Sequence, residues 1–151
     1  MSSPISPTRL IDPRGHRFGA GLSVAILTGA FLLDLPVVVA LIALALGVSA
    51  LYGTRYSILG RPWPLVRRLF KIGPPKELES EFPPRFAQAL GASGLGVATV
   101  AFLVGLPTVG WLLTAGVASL QLLLAVTGYC LGCRLYFLRW YAPAFFQRLA
   151  R

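Results

Sequence analysis

The stretch "VATVAFLVGLPTVGWLLTAGV" (Val97–Val117) lies inside a longer tract, Phe86–Cys133, that contains no charged side chain. A bilayer core about 30 Å thick needs roughly 20 apolar residues per helix, so this tract is long enough for two helices. A Gly-Leu-Pro triplet that ends at Pro107 divides it, because proline lacks a backbone N–H and disfavours helix in the preceding residue. The tract therefore predicts two membrane spans, at about 86–105 and 107–129.

The first half of the chain has the same pattern. Between Phe18 and Tyr52 the only charged residue is Asp34, which precedes a second Leu-Pro pair in "LLDLPVV" (Leu32–Val38). The whole chain is 56% hydrophobic and only 13% charged, against about 25% charged residues in soluble domains. The predicted fold is an all-α polytopic membrane protein with four transmembrane helices in two tandem helical hairpins, the first two spans being at about 18–33 and 36–52.

The alternative explanation for such tracts is a soluble protein with buried core helices. None of the tracts has a polar face wide enough for water, and 151 residues are too few to bury four helices that are apolar on all sides. We therefore treat residues 1–151 as a single membrane domain. It is divided into an N-terminal segment (1–17), a first hairpin (18–53), an amphipathic segment and linker (54–85), a second hairpin (86–129), and the Cys-x-x-Cys with an interfacial C-terminal helix (130–151).

The basic residues predict the orientation of the chain. All 14 of them fall on one side of the four-span topology, whereas the short loops on the other side carry only Asp34. The positive-inside rule then places both termini and the central linker in the cytoplasm, in a bacterial inner membrane. The net charge of +9 suits contact with anionic lipid headgroups, so the lipid bilayer is the expected partner. Nucleic-acid binding is not expected, because no soluble basic domain is present to carry it.

Shorter patterns also recur in the two halves. Arg-Phe opens the first span of each hairpin, at Arg17 and Arg85, and Gly53–Arg55 after the first hairpin aligns with Gly132–Arg134 after the second. We interpret these matches as an internal repeat whose two copies have the same orientation. Each hairpin is followed by a segment that mixes Arg with aromatic residues, which predicts interfacial amphipathic helices at 58–70 and 135–149.

Cys130 and Cys133 are the only thiols of the chain, in "TGYCLGCRLY" (Thr127–Tyr136). Cys-x-x-Cys spacing puts both sulfurs on one side of a helical turn, close enough for a disulfide or for one soft metal ion. Packing is the alternative, since free cysteine behaves as a small hydrophobe. No phosphate-binding loop or nucleophile–base pair is evident. His16, the single histidine, is expected at the interface, and it can exchange protons with the thiols only if the termini fold together.

Local geometry decides which thiol is reactive. If the fourth span continues through Arg134, the cysteines lie near a helix C-terminus, whose partial negative charge disfavours a thiolate. If Gly128 ends that span, Cys130 begins the next helix and its thiolate is favoured, with Arg134 as a stabiliser. The second geometry makes Cys130 the nucleophile and Cys133 the resolving thiol. A permanent structural disulfide is not expected in a reducing cytoplasm.

Three motifs resemble a known family when they are taken together: "IDPRGHRF", "GPPKELE" with "PPRFAQ", and "GYCLGCRLY". The family consists of small bacterial integral membrane proteins and is termed domain of unknown function 4395; the likeness covers about residues 10–140. It implies a multi-span protein with the Cys-x-x-Cys at the end of its last span, here Cys130 and Cys133. It implies no established activity. Some relatives are encoded near thioredoxin-like or sulfurtransferase proteins, which suggests such a protein as partner.

Three functions remain open on this evidence. The leading hypothesis is a cytoplasm-facing dithiol that exchanges electrons or sulfane sulfur with a soluble thioredoxin-like or sulfurtransferase partner. The second is binding or transport of a soft metal, Cu(I) or Hg(II), with Cys130 and Cys133 as ligands, although Met1 is the only methionine and no further cysteine lines a path. The third is a non-catalytic scaffold subunit. No cofactor is predicted, and a homo-oligomer and an enzymatic activity are left open.

Overall fold

A computed structural model describes residues 9–136, and this part of the chain is mostly helical. A 3-10 turn, Thr54–Tyr56, follows the second helix. Two short strands, β1 (Leu10–Ile11) and β2 (Glu79–Ser80), pair antiparallel, with Leu10 opposite Ser80. The helices are α1 (Pro13–Leu32), α2 (Pro36–Tyr52), α3 (Trp63–Leu69), α4 (Phe82–Leu103), α5 (Pro107–Thr127) and α6, which occupies 131–136.

The two hairpins turn in the same way. After the C-caps of α1 and α4 comes a residue with positive φ, Asp34 at 50° in the first hairpin and Gly105 at 80° in the second. A leucine and a proline follow in both, and the proline begins the next helix, where its missing N–H would have had no partner. The indole of Trp111 donates to Asp34 Oδ1 at 3.3 Å. Both turns therefore lie at the same end of the molecule.

At the opposite end, two arginines each close a helix of the other hairpin. Arg17, in α1, donates to the carbonyls of Ala125 and Val126 in the last turn of α5, both at 3.1 Å. Arg85, in α4, makes the corresponding bonds to carbonyls in the last turn of α2, at 2.9 and 2.7 Å. These carbonyls have no partner within their own helix, and a cation there offsets the partial negative charge of the C-terminus. The start of α1 is thus joined to the end of α5, and the start of α4 to the end of α2.

The core lies mainly between α2 and α4, while α5 packs against both α1 and α4. Leu27, Val39, Leu95 and Ala98 are the most deeply buried apolar residues among those described. α4 and α5 approach closely at a glycine, since a Cβ placed on Gly94 would lie 2.8 Å from a methyl group of Val117. Small residues therefore set the spacing of the second hairpin, as they do in many membrane helix pairs.

Two helices, α4 and α5, are long and apolar enough to cross a membrane. α2 is apolar but has only 17 residues, and α1, which opens with several polar turns, does not meet the same criterion. The prediction of four transmembrane helices is thus not supported by length and composition. Large apolar side chains nevertheless remain exposed on all four of these helices: Phe31, Leu32, Val37, Leu41, Leu44, Val97, Val100, Leu112 and Val126.

Several predicted boundaries need correction. α1 begins at Pro13, before residue 18, because Asp12 Oδ1 accepts a hydrogen bond from Arg14 N at 2.9 Å and caps the helix. α4 begins at Phe82, and α5 ends at Thr127. The β1–β2 pair ties the central linker to the N-terminal segment, so the fold is not strictly all-α. The predicted interfacial helix at 135–149 lies outside the described residues from 137 onward.

The glycines that end the two hairpins correct the predicted repeat alignment. Gly53 caps α2 with φ 102°, and Gly128 caps α5 with φ 75°. Gly128 is therefore the structural counterpart of Gly53, a role that the sequence alignment assigned to Gly132. The sequence alignment was shifted because these glycines have different roles. Gly53 and Gly128 lie beyond a helix end and adopt a left-handed backbone, whereas Gly132 lies inside α6 and allows close packing.

Candidate functional site

The site begins at the end of α5. Gly128 closes this helix, and its N–H donates to the carbonyl of Leu124 at 2.9 Å. The chain then turns, and Cys130 precedes α6, with Arg134 N donating to Cys130 O at 3.1 Å in the first helical turn. Of the two geometries that the sequence allowed, the structure has the one in which Gly128 ends the span and Cys130 begins the next helix.

Cys130 and Cys133 form a disulfide, with their Cα atoms 5.2 Å apart. The backbone N–H of Cys133 also donates to Cys130 Sγ at 3.2 Å. This donor stabilises negative charge on Cys130 Sγ once the bond is reduced, because hydrogen bonds to the charged form favour that form. Both residues are partly exposed. The geometry agrees with Cys130 as the nucleophile, and the individual roles of the two thiols stay predictions.

His16 lies beside the disulfide. Its ligand nitrogen and the sulfurs of Cys130 and Cys133 all lie within 4.8 Å of one another. His16 Nε2 is inaccessible to solvent and has no hydrogen-bond partner among residues 9–136. Burial lowers the pKa of His16, which precedes the predicted first span, to about 4, so the imidazole is neutral at physiological pH. A neutral imidazole at this distance can hydrogen-bond to a thiol or a thiolate, or bind a metal ion.

Arg17 explains how a residue from the N-terminal segment reaches the cysteines. The bonds from Arg17 to the last turn of α5 hold the start of α1 against the turn at Gly128. A Cβ on Gly128 would lie 3.3 Å from Arg17 Nη1, so the guanidinium lies directly over the backbone there. His16 is the neighbour of Arg17 in sequence and is thereby brought to Cys130.

Arg134 lines the same outer pocket as Cys130 and Cys133. Its guanidinium carbon lies 5.3 Å from the centroid of the Tyr129 ring, a cation–π arrangement. Its predicted role as a thiolate stabiliser stays a prediction. In the described part of α6, the hydrogen bond to Cys130 Sγ comes from the backbone N–H of Cys133.

Two pockets meet at the disulfide, and His16 and Cys130 line both of them. The outer pocket has a volume of about 880 Å³ and carries charged groups of both signs: Arg14, Arg17, Lys76, Glu77, Glu79 and Arg134. The inner cavity has a volume of about 150 Å³ and is mostly apolar. Cys130 of the disulfide therefore lies between a large charged pocket and a smaller apolar one.

Two glutamines are the polar exceptions in the inner cavity. Gln88, from α4, accepts a hydrogen bond from the Ser49 hydroxyl through its Oε1 at 2.5 Å, and both residues are buried. Gln121, from α5, also lines the cavity, and among the described residues its buried Oε1 has no hydrogen-bond partner. A buried amide oxygen without a partner is energetically unfavourable, so this oxygen is available to a hydrogen-bond donor that enters the cavity.

Comparison with known proteins supports the resemblance seen in the motifs. The family described as Domain of unknown function (DUF4395) matches residues 11–140, which is most of the chain. The chain belongs to the DUF4395 family. No curated protein and no solved structure matches it significantly. In this DUF4395 protein the matched region includes His16, the Cys-x-x-Cys and both glutamines of the inner cavity.

Sequence reasoning identified the cysteines of this DUF4395 protein but left out half of the site. It placed His16 at the interface and assigned no site role to Gln88 or Gln121. The signal that could have located His16 was the Arg-Phe pattern at Arg17 and Arg85, because both arginines close a helix end of the other hairpin. Nothing in the sequence indicated the cavity, which forms from residues far apart in the chain.

Proposed function

We propose that this DUF4395 protein is a bacterial inner-membrane protein that exchanges disulfides, or sulfane sulfur, with a soluble thioredoxin-like or sulfurtransferase partner. The observation that carries the proposal is the arrangement of Cys130, Cys133 and His16 around one point, with reactive atoms within 4.8 Å of one another. A disulfide beside a charged open pocket is accessible to a protein thiol. The neutral imidazole of His16 next to it can hydrogen-bond to the thiolate that forms during exchange.

The exchange step follows from this geometry. A thiolate of the partner attacks Cys130 Sγ, the Cys130–Cys133 bond breaks, and Cys133 leaves with the electron pair and takes up a proton. The second thiol of the partner then attacks the mixed disulfide and releases Cys130, whose thiolate accepts the hydrogen bond from Cys133 N. In total one disulfide is reduced to two thiols and the partner dithiol is oxidised to a disulfide.

We place all four long helices in the membrane, with both termini and the outer pocket in the cytoplasm. α2 carries no charged side chain, and at 1.5 Å per residue its length of about 25 Å is near the lower limit for a span. Exposed apolar residues on α1 and α2 support the same arrangement. α3 leaves Leu65 and Leu69 exposed, and Trp63 ties it to Asp12 at 3.1 Å, which suits a helix at the headgroup layer.

We also interpret the two hairpins as copies of one repeat. The matching turns at Asp34 and Gly105, and the matching bonds of Arg17 and Arg85, support this interpretation. The thiols then occur in one copy only, because the first copy has Gly53 and a 3-10 turn where the second continues from Gly128 to the cysteines.

Trapping of the partner tests the exchange function. Exchange is reversible, and in the reverse direction the Cys130 thiolate attacks the disulfide of an oxidised partner and Cys133 resolves the mixed disulfide. Cys133→Ser should therefore accumulate a mixed disulfide between Cys130 and the partner in membranes, because the resolving thiol is absent. Cys130→Ser is the matched control and should accumulate several-fold less. Adducts are identified on non-reducing gels and by mass spectrometry. Equal adduct yields from both variants would contradict the assignment of Cys130, and no adduct from either would contradict exchange.

Soft-metal binding is a second candidate function, and the position of His16 beside the two cysteines supports it. Two thiolates and one imidazole form a three-ligand set that suits Cu(I) or Zn(II), whereas the sequence offered only two ligands. Metal content of the reduced protein, measured in wild type and in His16→Ala, tests this. Stoichiometric metal that falls severalfold in His16→Ala would support the site. A Cys130→Ser/Cys133→Ser variant that keeps the full cellular function of wild type would favour the scaffold hypothesis over thiol exchange and over metal binding.

A further inference from the structure

The inner cavity holds two buried polar atoms that have no partner. His16 Nε2 lies at its cytoplasmic end beside the disulfide, and Gln121 Oε1 lies on α5. The rest of the lining is mostly apolar. A lipid tail would leave both polar atoms unpaired. The cavity is therefore suited to an apolar molecule that carries at least two hydrogen-bonding groups.

The size of the cavity and its rim restrict that molecule further. A volume of about 150 Å³ is similar to that of a cavity known to hold a six-membered aromatic ring. Four leucines line the cavity and are also exposed, so they form its rim: Leu90, Leu120, Leu131 and Leu135. In a membrane this apolar rim would admit a lipid-soluble ligand and exclude a water-soluble one.

From these contacts we infer that the inner cavity binds the ring of a lipid-soluble quinone, which reoxidises the Cys130–Cys133 dithiol. The inference rests on the proposed exchange function, because it names the oxidant that restores the disulfide after each exchange. A quinone has two opposed ring oxygens, which accept hydrogen bonds in the oxidised form and donate them in the reduced form. His16 Nε2 and Gln121 Oε1 are suited as acceptors for the two hydroxyl groups of the quinol.

The redox step balances with these groups alone. The S–H bonds of Cys130 and Cys133 break, an S–S bond forms, and the two electrons pass to the quinone. The two protons move to the two ring oxygens, so a dithiol and a quinone become a disulfide and a quinol. Cys130 and His16 both line the cavity, so the thiol lies next to the bound ring.

Reoxidation of the reduced protein by decylubiquinone tests this inference. Its ring is fully substituted, so a thiol cannot add to it. The purified full-length chain is reduced, freed of reductant and mixed with decylubiquinone in lipid nanodiscs. Quinone absorbance and alkylation of the remaining thiols are followed together. We expect one quinone reduced per cysteine pair, with a rate that saturates as the quinone fraction in the nanodisc rises.

Gln121→Leu removes the unpartnered amide at similar volume. It should slow decylubiquinone-dependent reoxidation about tenfold, because the amide oxygen accepts from the hydroxyl that forms on the ring as the quinone is reduced, and losing that hydrogen bond is worth about 1.4 kcal/mol. Ser119→Ala is the matched control on α5, because its hydroxyl is exposed and bonds only to Ala115 O among the described contacts. It should keep the wild-type rate. Diamide, a water-soluble oxidant, should oxidise all three proteins equally.

The outcomes separate the inference from the function on which it rests. If wild type exchanges disulfides with a soluble dithiol but is not reoxidised by decylubiquinone, or if the rate rises linearly without saturation, the quinone site is wrong and exchange stands. An equal rate in Gln121→Leu and wild type also overturns the site. If Gln121→Leu does not fold, the saturation measurement on wild type decides. If wild type exchanges with no dithiol, the proposed function itself fails.

Discussion

His16 is a residue whose role depends on a contact distant in sequence. The N–H of a neutral imidazole within 4.8 Å of both sulfurs can donate to the thiolate of a reduced Cys130 and stabilise it. His16→Leu should therefore slow alkylation of Cys130 at pH 7 about tenfold, since one pKa unit of the thiol changes the thiolate fraction tenfold. Reduced membranes and a pulse of maleimide provide the measurement.

Ser23→Ala is the control for that change. Ser23 is also buried on α1 without a hydrogen-bond partner, but it does not line the described cavity. In Ser23→Ala, Cys130 should be alkylated at the wild-type rate. A rate in His16→Leu equal to that of Ser23→Ala would show that the imidazole does not act on the thiols.

Gly132 controls how closely α6 approaches α4. A Cβ at this position would lie 2.8 Å from Ala87 Cβ and 3.0 Å from Ala87 Cα, and neither atom can move without its helix. Gly132→Ala should lower the free energy of unfolding by about 1–3 kcal/mol through overpacking. Gly116→Ala, with no atom within 4 Å of its Cβ, should cause no comparable loss. Thermal unfolding in detergent compares the two variants, and similar melting temperatures would argue against close packing at Ala87.

The turn of the second hairpin leads to a prediction about the stability of the protein. Gly105 has φ 80°, a left-handed conformation that a Cβ disfavours. Gly105→Ala should reduce stability by about 1–2 kcal/mol. Gly96→Ala, in a helical part of α4 with open space around it, should not reduce it. Calorimetry or denaturant unfolding of both variants is the measurement, and an equally stable Gly105→Ala would contradict the turn geometry.

The start of a helix was predictable from the sequence where a single residue determines it. Pro36 and Pro107 begin their helices as predicted, because proline is favoured at a position that needs no N–H donor. The starts of α1 and α4 were missed, since hydropathy does not register the cap at Asp12 or polar turns that continue a helix beyond the apolar tract. The β1–β2 pair was not predictable, because two-residue strands far apart in sequence have no periodic pattern.

Only the part of the candidate site that is local in sequence was predictable. Cys130 and Cys133 are only three residues apart in sequence, so the closeness of their sulfurs follows from spacing alone. His16 and Gln121 join them only through helix packing, and each looks like an ordinary polar residue until the cavity is known. Sequence spacing cannot report contacts between α1 and α5, which depend on how the two hairpins dock.

The number of membrane spans is a property of the whole molecule. Leu33, at the turn of the first hairpin, is exposed, and Ser80 lies in the linker strand near the other end. In a cysteine-free background, four spans predict that Leu33→Cys reacts with an impermeant maleimide from outside the cell. Ser80→Cys should react only after permeabilisation. If only α4 and α5 cross the membrane, both positions lie on the same side, and Leu33→Cys would be protected in intact cells.

The bonds of Arg17 to the end of α5 have a consequence for biosynthesis. Arg17 is translated 108 residues before Ala125 and 109 before Val126, whose carbonyls accept its hydrogen bonds. Arg17 must therefore remain without these partners while the intervening helices are synthesised. The cluster of His16, Cys130 and Cys133 can assemble only after α5 has been translated. A stalled or truncated chain that ends with α5 carries His16 but neither cysteine, so it cannot form the disulfide.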